Sequence, residues 1–283
     1  MAGNDRLTET HERLVEAISA LTSGEDWQRM LDLAGRFHRY STANIMLVLA
    51  QRPDASRVAG YRMWQSLGRH VRKGEHGIMI FAPCVSRTRP VDEHDERDGP
   101  ELVRVLHGFR VAHVFDVAQT DGEPLPEVAP ELLRDDAPAS LWDRLVAQLS
   151  ASGFQLLRED CRPANGVTHH LTKTVVVRPD LAPAQATKTL AHELAHTVLH
   201  DGSSYRDGCR GRVEVEAESV AYLVCSAAGL PSGSYSFPYI ARWADGDVDA
   251  VRNTAERVIG CARRILAAAG ITDGASLGNT PAD

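Results

Sequence analysis

Residues 189–200 have the sequence TLAHELAHTVLH and place His192, Glu193 and His196 in an otherwise mostly apolar run. Pro183 predicts that a helix begins shortly before this run. Residues four apart share one face of a helix, so both histidines can direct a ring nitrogen at one metal ion. Glu193 lies about 100° further round and can reach a water molecule at that ion. The run is an H-E-x-x-H pattern, in which two neutral imidazoles hold zinc and the glutamate acts as general base.

A following helix, predicted over RVEVEAESVAYLVCSAAGL at 212–230, offers a third ligand. Glu214 and Glu218 are four apart and lie beside its apolar face. Glu216 is rotated by about 200° from Glu214 and is expected to be solvated. One of the first two carboxylates would ligate the metal, and the other would hydrogen-bond a ligand histidine. We assign Glu214 as the ligand and Glu218 as the hydrogen-bonding partner, and the reverse assignment stays open.

HELAH followed by EVEAESVA resembles the gluzincin-like metallopeptidases, and among them the ImmA/IrrE group. In that group the glutamate that opens a second motif, E-x-x-A-[ND], is the third zinc ligand, and it maps onto Glu214. Position 218 holds Glu where the pattern has Asn or Asp. The resemblance implies a zincin-like domain that binds Zn²⁺ and hydrolyses a protein or peptide substrate, with Glu193 as the catalytic base.

Hydrolysis of a peptide bond also needs donors for the oxyanion. The sequence offers candidates whose places in the fold it does not determine: His169, His170, His200, Tyr205 and Tyr235. The predicted strand TKTVVVRP (172–179) could bind an extended substrate as an added strand. Packing of this strand in the core is the favoured interpretation.

The charge of the chain is unevenly distributed. The whole chain carries −7, whereas residues 31–90 hold ten arginines and lysines against three acidic residues, a balance of +7. A basic segment in an acidic chain indicates an anionic partner, with nucleic acid as the first candidate. An arginine-rich solvated surface explains the charge equally well.

The stretch YSTANIMLVLAQRPDASRVAGYRMWQSLGRHVRKGEHGIMIFAP (40–83) resembles the N-terminal domain of ArdC-type antirestriction proteins. That resemblance implies a module that binds single-stranded DNA, joined to an HExxH metallopeptidase domain. Single strands are held by basic grooves with aromatic platforms for the bases. The candidate DNA-binding residues are Tyr40, Asn44, Tyr61, Arg62, Trp64, Arg69, Arg72 and Lys73. For Trp64, a core position and a stacking position are equally favoured.

Apolar spacing alternates between helical and strand-like periods along the chain, which predicts an α+β protein of two domains. The predicted parts are a DNA-binding domain at 1–125, a zincin-like domain at 138–270 and a disordered tail at 271–283. No apolar run is long enough to cross a membrane, and the N-terminus is polar, so a cytoplasmic protein without a membrane partner is expected. The five cysteines form no CxxC pair, which excludes a thiolate zinc site of that kind.

Three classes of function agree with these observations. The first is a DNA-binding metallopeptidase of the ArdC type. The second is a regulatory protease of the ImmA/IrrE type that cleaves a repressor. The third is a DNA-coating protein without enzymatic activity, in which zinc is structural. A test of whether residues 1–120 bind single-stranded DNA distinguishes the first class from the second. A test of whether Glu193 is needed for function distinguishes the third class from the other two.

Overall fold

The structure is a computed structural model that describes residues 2–21, 23–37, 39–88, 103–125, 137–201, 210–230 and 247–271. The chain begins with three helices: α1 (Ala2–Ser19), α2 (Gly24–Arg36) and α3 (Thr42–Gln51). Serine side chains start the second and third of them. Ser23 accepts a hydrogen bond from the backbone of Asp26, and Ser41 accepts one from the backbone of Asn44, which satisfies N–H groups that a helix end leaves unpaired.

Short strands and one long hairpin complete the N-terminal half. The elements are β1 (Val58–Gly60), α4 (Tyr61–Ser66), β2 (Arg69–Val71), β3 (Ile78–Thr88), β4 (Val103–Asp116) and β5 (Thr120–Gly122). β4 lies between β1 and β3 in an antiparallel sheet, and β2 pairs with β5. Helix α3 packs against β3, which buries the apolar side chains of α3 under this sheet.

In the part of the C-terminal half that the structure describes, a small sheet is combined with four helices. Its elements are α5 (Ala137–Ala151), β6 (Gln155–Leu157), β7 (Gly166–His169), β8 (Thr174–Val177), α6 (Pro183–Leu199), α7 (Arg210–Ala227) and α8 (Val248–Ala268). The strand order is β6-β8-β7. Because β8 is paired on both sides and buries Val175 and Val177, it has no edge for an added substrate strand. The core interpretation of this strand is therefore correct.

The two halves of the molecule share one apolar core. Trp27 of α2 is fully buried, and its indole N–H donates to Ser219 Oγ of α7 at 2.8 Å. Tyr222 of α7 donates to Asp32 of α2. Arg263 of α8 donates to the carbonyl of Tyr40 at 2.5 Å. Helix α7 therefore packs against the N-terminal half as well as against α6 and α8.

The structure confirms the predicted α+β class, since each half of the chain contains both helices and strands. The predicted boundaries at 1–125 and 138–270 stay predictions, and the predicted tail lies outside the described residues except for Ile271. Among the residues that the structure describes, we find no helix with the length and apolar character needed to cross a membrane.

Candidate metal centre

Helix α6 brings two imidazoles together. His192 and His196 lie one turn apart, and their Nε2 atoms are 3.0 Å from each other. The helix starts at Pro183 and buries Leu190, Ala191, Leu194 and Ala195 against the core. The packing of this apolar face fixes the helix so that the two rings project to the same point.

Helix α7 adds a carboxylate at that point. Glu214 Oε2 lies 3.4 Å from His192 Nε2 and 3.8 Å from His196 Nε2. One donor atom from each of the three side chains lies within 4.8 Å of the others. A tetrahedral ion with bonds of about 2.0–2.1 Å would separate its ligands by about 3.3–3.4 Å. The three separations bracket that value, so these side chains fit a divalent metal ion.

Glu218 lies on the other side of His192. Its Oε2 is 3.1 Å from His192 Nδ1, and its Oε1 is 2.9 Å from Lys188 Nζ. A carboxylate at Nδ1 keeps the ring proton there and leaves Nε2 open for a metal. The geometry therefore favours Glu214 as the ligand and Glu218 as the partner of His192, over the reverse assignment.

Glu193 is buried beside the three donors, with 6% of its surface exposed. Burial raises the pKa of its carboxyl group, while His192 and the Thr168 hydroxyl partly oppose this rise. Thr168 Oγ1 donates to Glu193 Oε2 at 2.7 Å. Glu193, Thr168 and the metal-binding set line one cavity of about 600 Å³. A buried carboxylate with a raised pKa therefore lies beside the three possible metal donors.

Gly166 allows β7 to approach α6 closely at this site. A Cβ atom at position 166 would lie 2.7 Å from Thr189 Cγ2 and 2.9 Å from Glu193 Oε1. Real Cβ atoms do not come so near to other atoms, so an alanine at 166 must displace Glu193 or the strand.

Gly166→Ala is expected to lower the free energy of unfolding by about 1–3 kcal/mol, because the added Cβ must displace Thr189, Glu193 or the strand. Bound metal should be retained, because the three ligands are untouched. Urea unfolding and metal analysis would measure these effects. Gly211→Ala is the matched control, since its Cβ would meet no atom within 4 Å. A Gly166→Ala protein with wild-type stability would contradict the steric role assigned to Gly166.

Glu216 is not solvated, contrary to the sequence prediction. It is 1% exposed, its Oε2 lies 2.8 Å from His200 Nε2, and Arg257 of α8 contacts both of its oxygens. The prediction was wrong because it allowed α7 only one buried face. α7 is covered by α6, α8 and α2, so the side opposite Glu214 is buried too. Two features of the sequence could have indicated this cluster: Val215, an apolar residue next to Glu216, and His200, which lies one helical turn after His196.

In the metal-free protein, the pKa values of His192 and His196 are shifted in opposite directions. Burial lowers the pKa of His192, but Glu214 and Glu218 outweigh it and raise the pKa to about 9. Burial and the neighbouring rings of His192, His200 and His170 lower the pKa of His196 to about 2. One proton can thus be held between the rings at neutral pH, in the place that a metal would take.

These pKa values predict a stability maximum near pH 6.5 for the metal-free protein. The raised pKa of His192 gives stability that is complete below 6.5 and is lost as pH rises through 9. The lowered pKa of His196 gives stability that is present above 6.5 and is lost as pH falls towards 2. Urea unfolding in the presence of a chelator, repeated over a range of pH, would measure the loss of stability on both sides of pH 6.5. His192→Gln should remove the alkaline loss, and a wild-type free energy of unfolding that rises from pH 6.5 to 9 would be incompatible with this assignment.

The proposed oxyanion donors do not gather at the metal centre. His169 and His170 lie at the end of β7 and just beyond it, and neither lines the cavity. His200 contacts the Nδ1 side of His196, away from the other ligand atoms, so its prediction as an oxyanion donor is wrong. Tyr205 and Tyr235 lie outside the described residues.

Two candidate DNA-binding residues belong to the core of the N-terminal half. Trp64 is fully buried and donates its indole N–H to the carbonyl of Phe115 at 2.9 Å, so it cannot stack on a base. Asn44 is buried, and its amide exchanges two hydrogen bonds of 2.9 Å with the backbone of Phe81. Asn44 therefore ties α3 to β3, and the prediction of DNA contact is corrected for both residues.

Two candidate arginines are already engaged with the protein. Arg69 donates to the backbone carbonyls of Thr120, Gly122 and Glu123. Arg72 donates to Glu75 at 2.6 Å and to the carbonyl of Ala118 at 2.6 Å. Both guanidinium groups link the β2 segment to the segment around β5, which weakens the case for them as phosphate ligands.

The remaining candidates are more accessible. Tyr61 is 49% exposed and packs edge-to-face on Phe115. Arg62 and Lys73 are exposed, and Tyr40 is half-buried. Burial raises the pKa of the Tyr40 hydroxyl, which keeps this group neutral. Tyr61, Arg62 and Lys73 are therefore candidate residues whose side chains are exposed at the surface.

Two family models match the chain in succession. Residues 4–115 match the N-terminal domain of anti-restriction factor ArdC. Residues 150–228 match the IrrE N-terminal-like domain, a peptidase family. The second match includes all three candidate metal ligands and Glu193, and the first includes every candidate DNA-binding residue.

Individual relatives are distant. The Bacillus anthracis protein pXO2-81 is 24% identical over 280 residues, which cover 85% of this chain and 47% of that protein. The Sinorhizobium fredii protein y4eC is 36% identical over 123 residues, which cover 41% of this chain and 40% of that protein. The chain thus spans less than half the length of these two curated relatives.

Crystal structures of antirestriction protein ArdC from the R388 plasmid are also similar. The metal-free structure is 21% identical, with a TM-score of 0.47 and coverage of 82% of this chain and 83% of that chain. The Mn(II)-bound structure is 19% identical, with a TM-score of 0.44 and coverage of 86% and 95%. From its two successive family matches, the chain is an ArdC-type protein, in which an ArdC N-terminal domain precedes an IrrE N-terminal-like domain.

Proposed function

We propose that this ArdC-type chain is a zinc-dependent peptidase that also binds single-stranded DNA in an antirestriction role. One observation carries the peptidase proposal. Three donor side chains, His192, His196 and Glu214, meet beside the buried carboxylate of Glu193 at a cavity large enough for a segment of peptide. Two imidazoles and one carboxylate are a donor set that zinc favours, and three protein ligands leave a position open, as catalytic sites do.

The side chains at the cavity would have different roles in hydrolysis. A bound metal would supply Lewis-acid activation of a water molecule and of the scissile carbonyl. Glu193 would take the proton from the attacking water and pass it to the leaving amine. Thr168 holds the Glu193 carboxylate at 2.7 Å, and Glu218 orients His192 from behind. Burial raises the pKa of Glu193, which makes its carboxylate a stronger base than that of an exposed glutamate.

The N-terminal half supports the DNA-binding part of the proposal. Its basic segment carries +7, and exposed Tyr61 is an aromatic ring on which a base can stack. Arg62 adjoins Tyr61 on α4, and Lys73 follows β2, against which α4 packs. Cations beside an exposed ring are the combination that binds single strands without strong sequence preference.

Peptide cleavage by the full-length chain tests the peptidase proposal. The protein would be stripped with a chelator, reconstituted with one equivalent of zinc, and incubated with a peptide library whose products are identified by mass spectrometry. Products should form only in the reconstituted sample. Equal product formation in the stripped and reconstituted samples would exclude a metal-dependent peptidase.

A further inference from the structure

His196 has a buried contact on the side opposite the other candidate ligands. Its Nδ1 atom lies 3.0 Å from Nδ1 of His200, one turn later on α6. The other ring nitrogen of His200, Nε2, lies 2.8 Å from Glu216 Oε2. The side chains of His200 and Glu216 are almost fully buried, so water does not replace these contacts.

Arg257 of α8 fixes the end of this chain of contacts. Its Nε lies 3.1 Å from Glu216 Oε1, and its Nη2 lies 3.2 Å from Glu216 Oε2 and 2.7 Å from the carbonyl of Leu199. A guanidinium group has only donors, so both oxygens of Glu216 act as acceptors. The proton in the contact between Glu216 and His200 therefore lies on His200 Nε2.

This proton determines where the next one lies. A neutral imidazole carries one N–H, so His200 with a proton on Nε2 offers a lone pair at Nδ1. His196 must then carry its proton on Nδ1 to make the 3.0 Å contact. Its Nε2 is left with a lone pair, and this atom faces His192 Nε2 and Glu214.

We propose that His200, Glu216 and Arg257 are positioning residues that hold His196 in the tautomer and orientation able to bind a metal. His192 is supported directly by Glu218, whereas His196 is supported through His200 by Glu216. Arg257 makes the last helix, α8, part of the metal centre. The proposal rests on the metal site of the proposed function and not on hydrolysis.

The tautomer can be measured in the metal-free protein. Side-chain ¹⁵N chemical shifts of ¹⁵N-labelled full-length protein distinguish a protonated ring nitrogen from one with a lone pair, and His196→Gln identifies the resonances of His196. We expect His196 to be protonated at Nδ1 and His200 at Nε2. Protonation of His196 at Nε2 would overturn the proposal, whether or not the protein proves to be a peptidase.

Metal affinity of full-length variants provides the second test, by competition with a zinc chelator. His200→Leu removes the acceptor for His196 and should weaken zinc binding about 10–100-fold. His200→Gln supplies an amide oxygen to His196 and an amide N–H to Glu216, so it should restore affinity to within a few-fold of wild type. Arg257→Met, at a half-exposed side chain, should give an intermediate loss.

Circular dichroism separates positioning from unfolding. If His200→Leu is unfolded, the zinc affinities of Arg257→Met and His200→Gln are compared instead. Wild-type affinity in both Arg257→Met and a folded His200→Leu would overturn the proposal. An equal loss of affinity in His200→Gln and His200→Leu would also overturn it, because the hydrogen bond would then not be the cause.

Discussion

Replacement of Glu193 by glutamine is expected to lower peptide-bond hydrolysis about 10²–10⁴-fold, because the amide cannot accept a proton from water. Metal content and the free energy of unfolding should change little. The amide is isosteric with the carboxylate, it can still accept the hydrogen bond from Thr168, and Glu193 is not among the three donors. Initial rates of peptide cleavage and metal analysis of the same preparation would measure both quantities.

Glu25→Gln is the matched control for this substitution. It makes the same chemical change on α2, where the side chain is 87% exposed, and it should leave hydrolysis at the wild-type rate. Cleavage by Glu193→Gln at the wild-type rate would show that Glu193 is not the base. Loss of metal together with activity would instead assign it a structural role.

Tyr61→Ala is expected to weaken binding of single-stranded DNA by about 1–3 kcal/mol, which is about 5- to 150-fold in the dissociation constant. The reason is the loss of an exposed ring that can stack on a base. The slope of affinity against salt should stay nearly unchanged, because the substitution removes no charge. Fluorescence anisotropy with a labelled oligonucleotide, repeated over a range of salt concentrations, would give both values.

Tyr61→Phe keeps the ring and should bind DNA as the wild type does. Arg62→Ala combined with Lys73→Ala should instead flatten the salt slope by about 0.7 for each phosphate that the protein no longer neutralises. Unchanged affinity in Tyr61→Ala would remove this residue from the interface. Failure of the wild type to bind single strands at low salt would favour the repressor-cleaving alternative.

The side chains of the candidate metal centre could be predicted from the sequence, because their relative positions depend on spacing within single helices. His192 and His196 share a helical face by their spacing alone, and Glu214 and Glu218 share one for the same reason. Glu216 was misplaced because a single helix does not reveal how many neighbours cover it. Arg257 gave no signal, since it follows Glu216 by 41 positions and meets it only through packing of α8.

The positions of the DNA-binding candidates, in contrast, could not be predicted from local sequence. Trp64, Asn44 and Arg69 stand in a basic segment with aromatic residues, a composition that suits nucleic-acid binding. Their side chains instead bond to backbone groups of Phe115, Phe81 and the β5 region. These partners are 37 to 54 positions away in the chain, so only the tertiary fold separates the three from exposed Tyr61.

We propose that His192, His196 and Glu214 together hold one catalytic divalent metal ion. The most direct measurement is the metal content of reconstituted full-length protein after removal of unbound ions, by inductively coupled plasma mass spectrometry. We expect about one zinc per chain in the wild type and in Glu193→Gln, and none in His192→Ala/His196→Ala. A full equivalent of zinc in the folded double variant would contradict it.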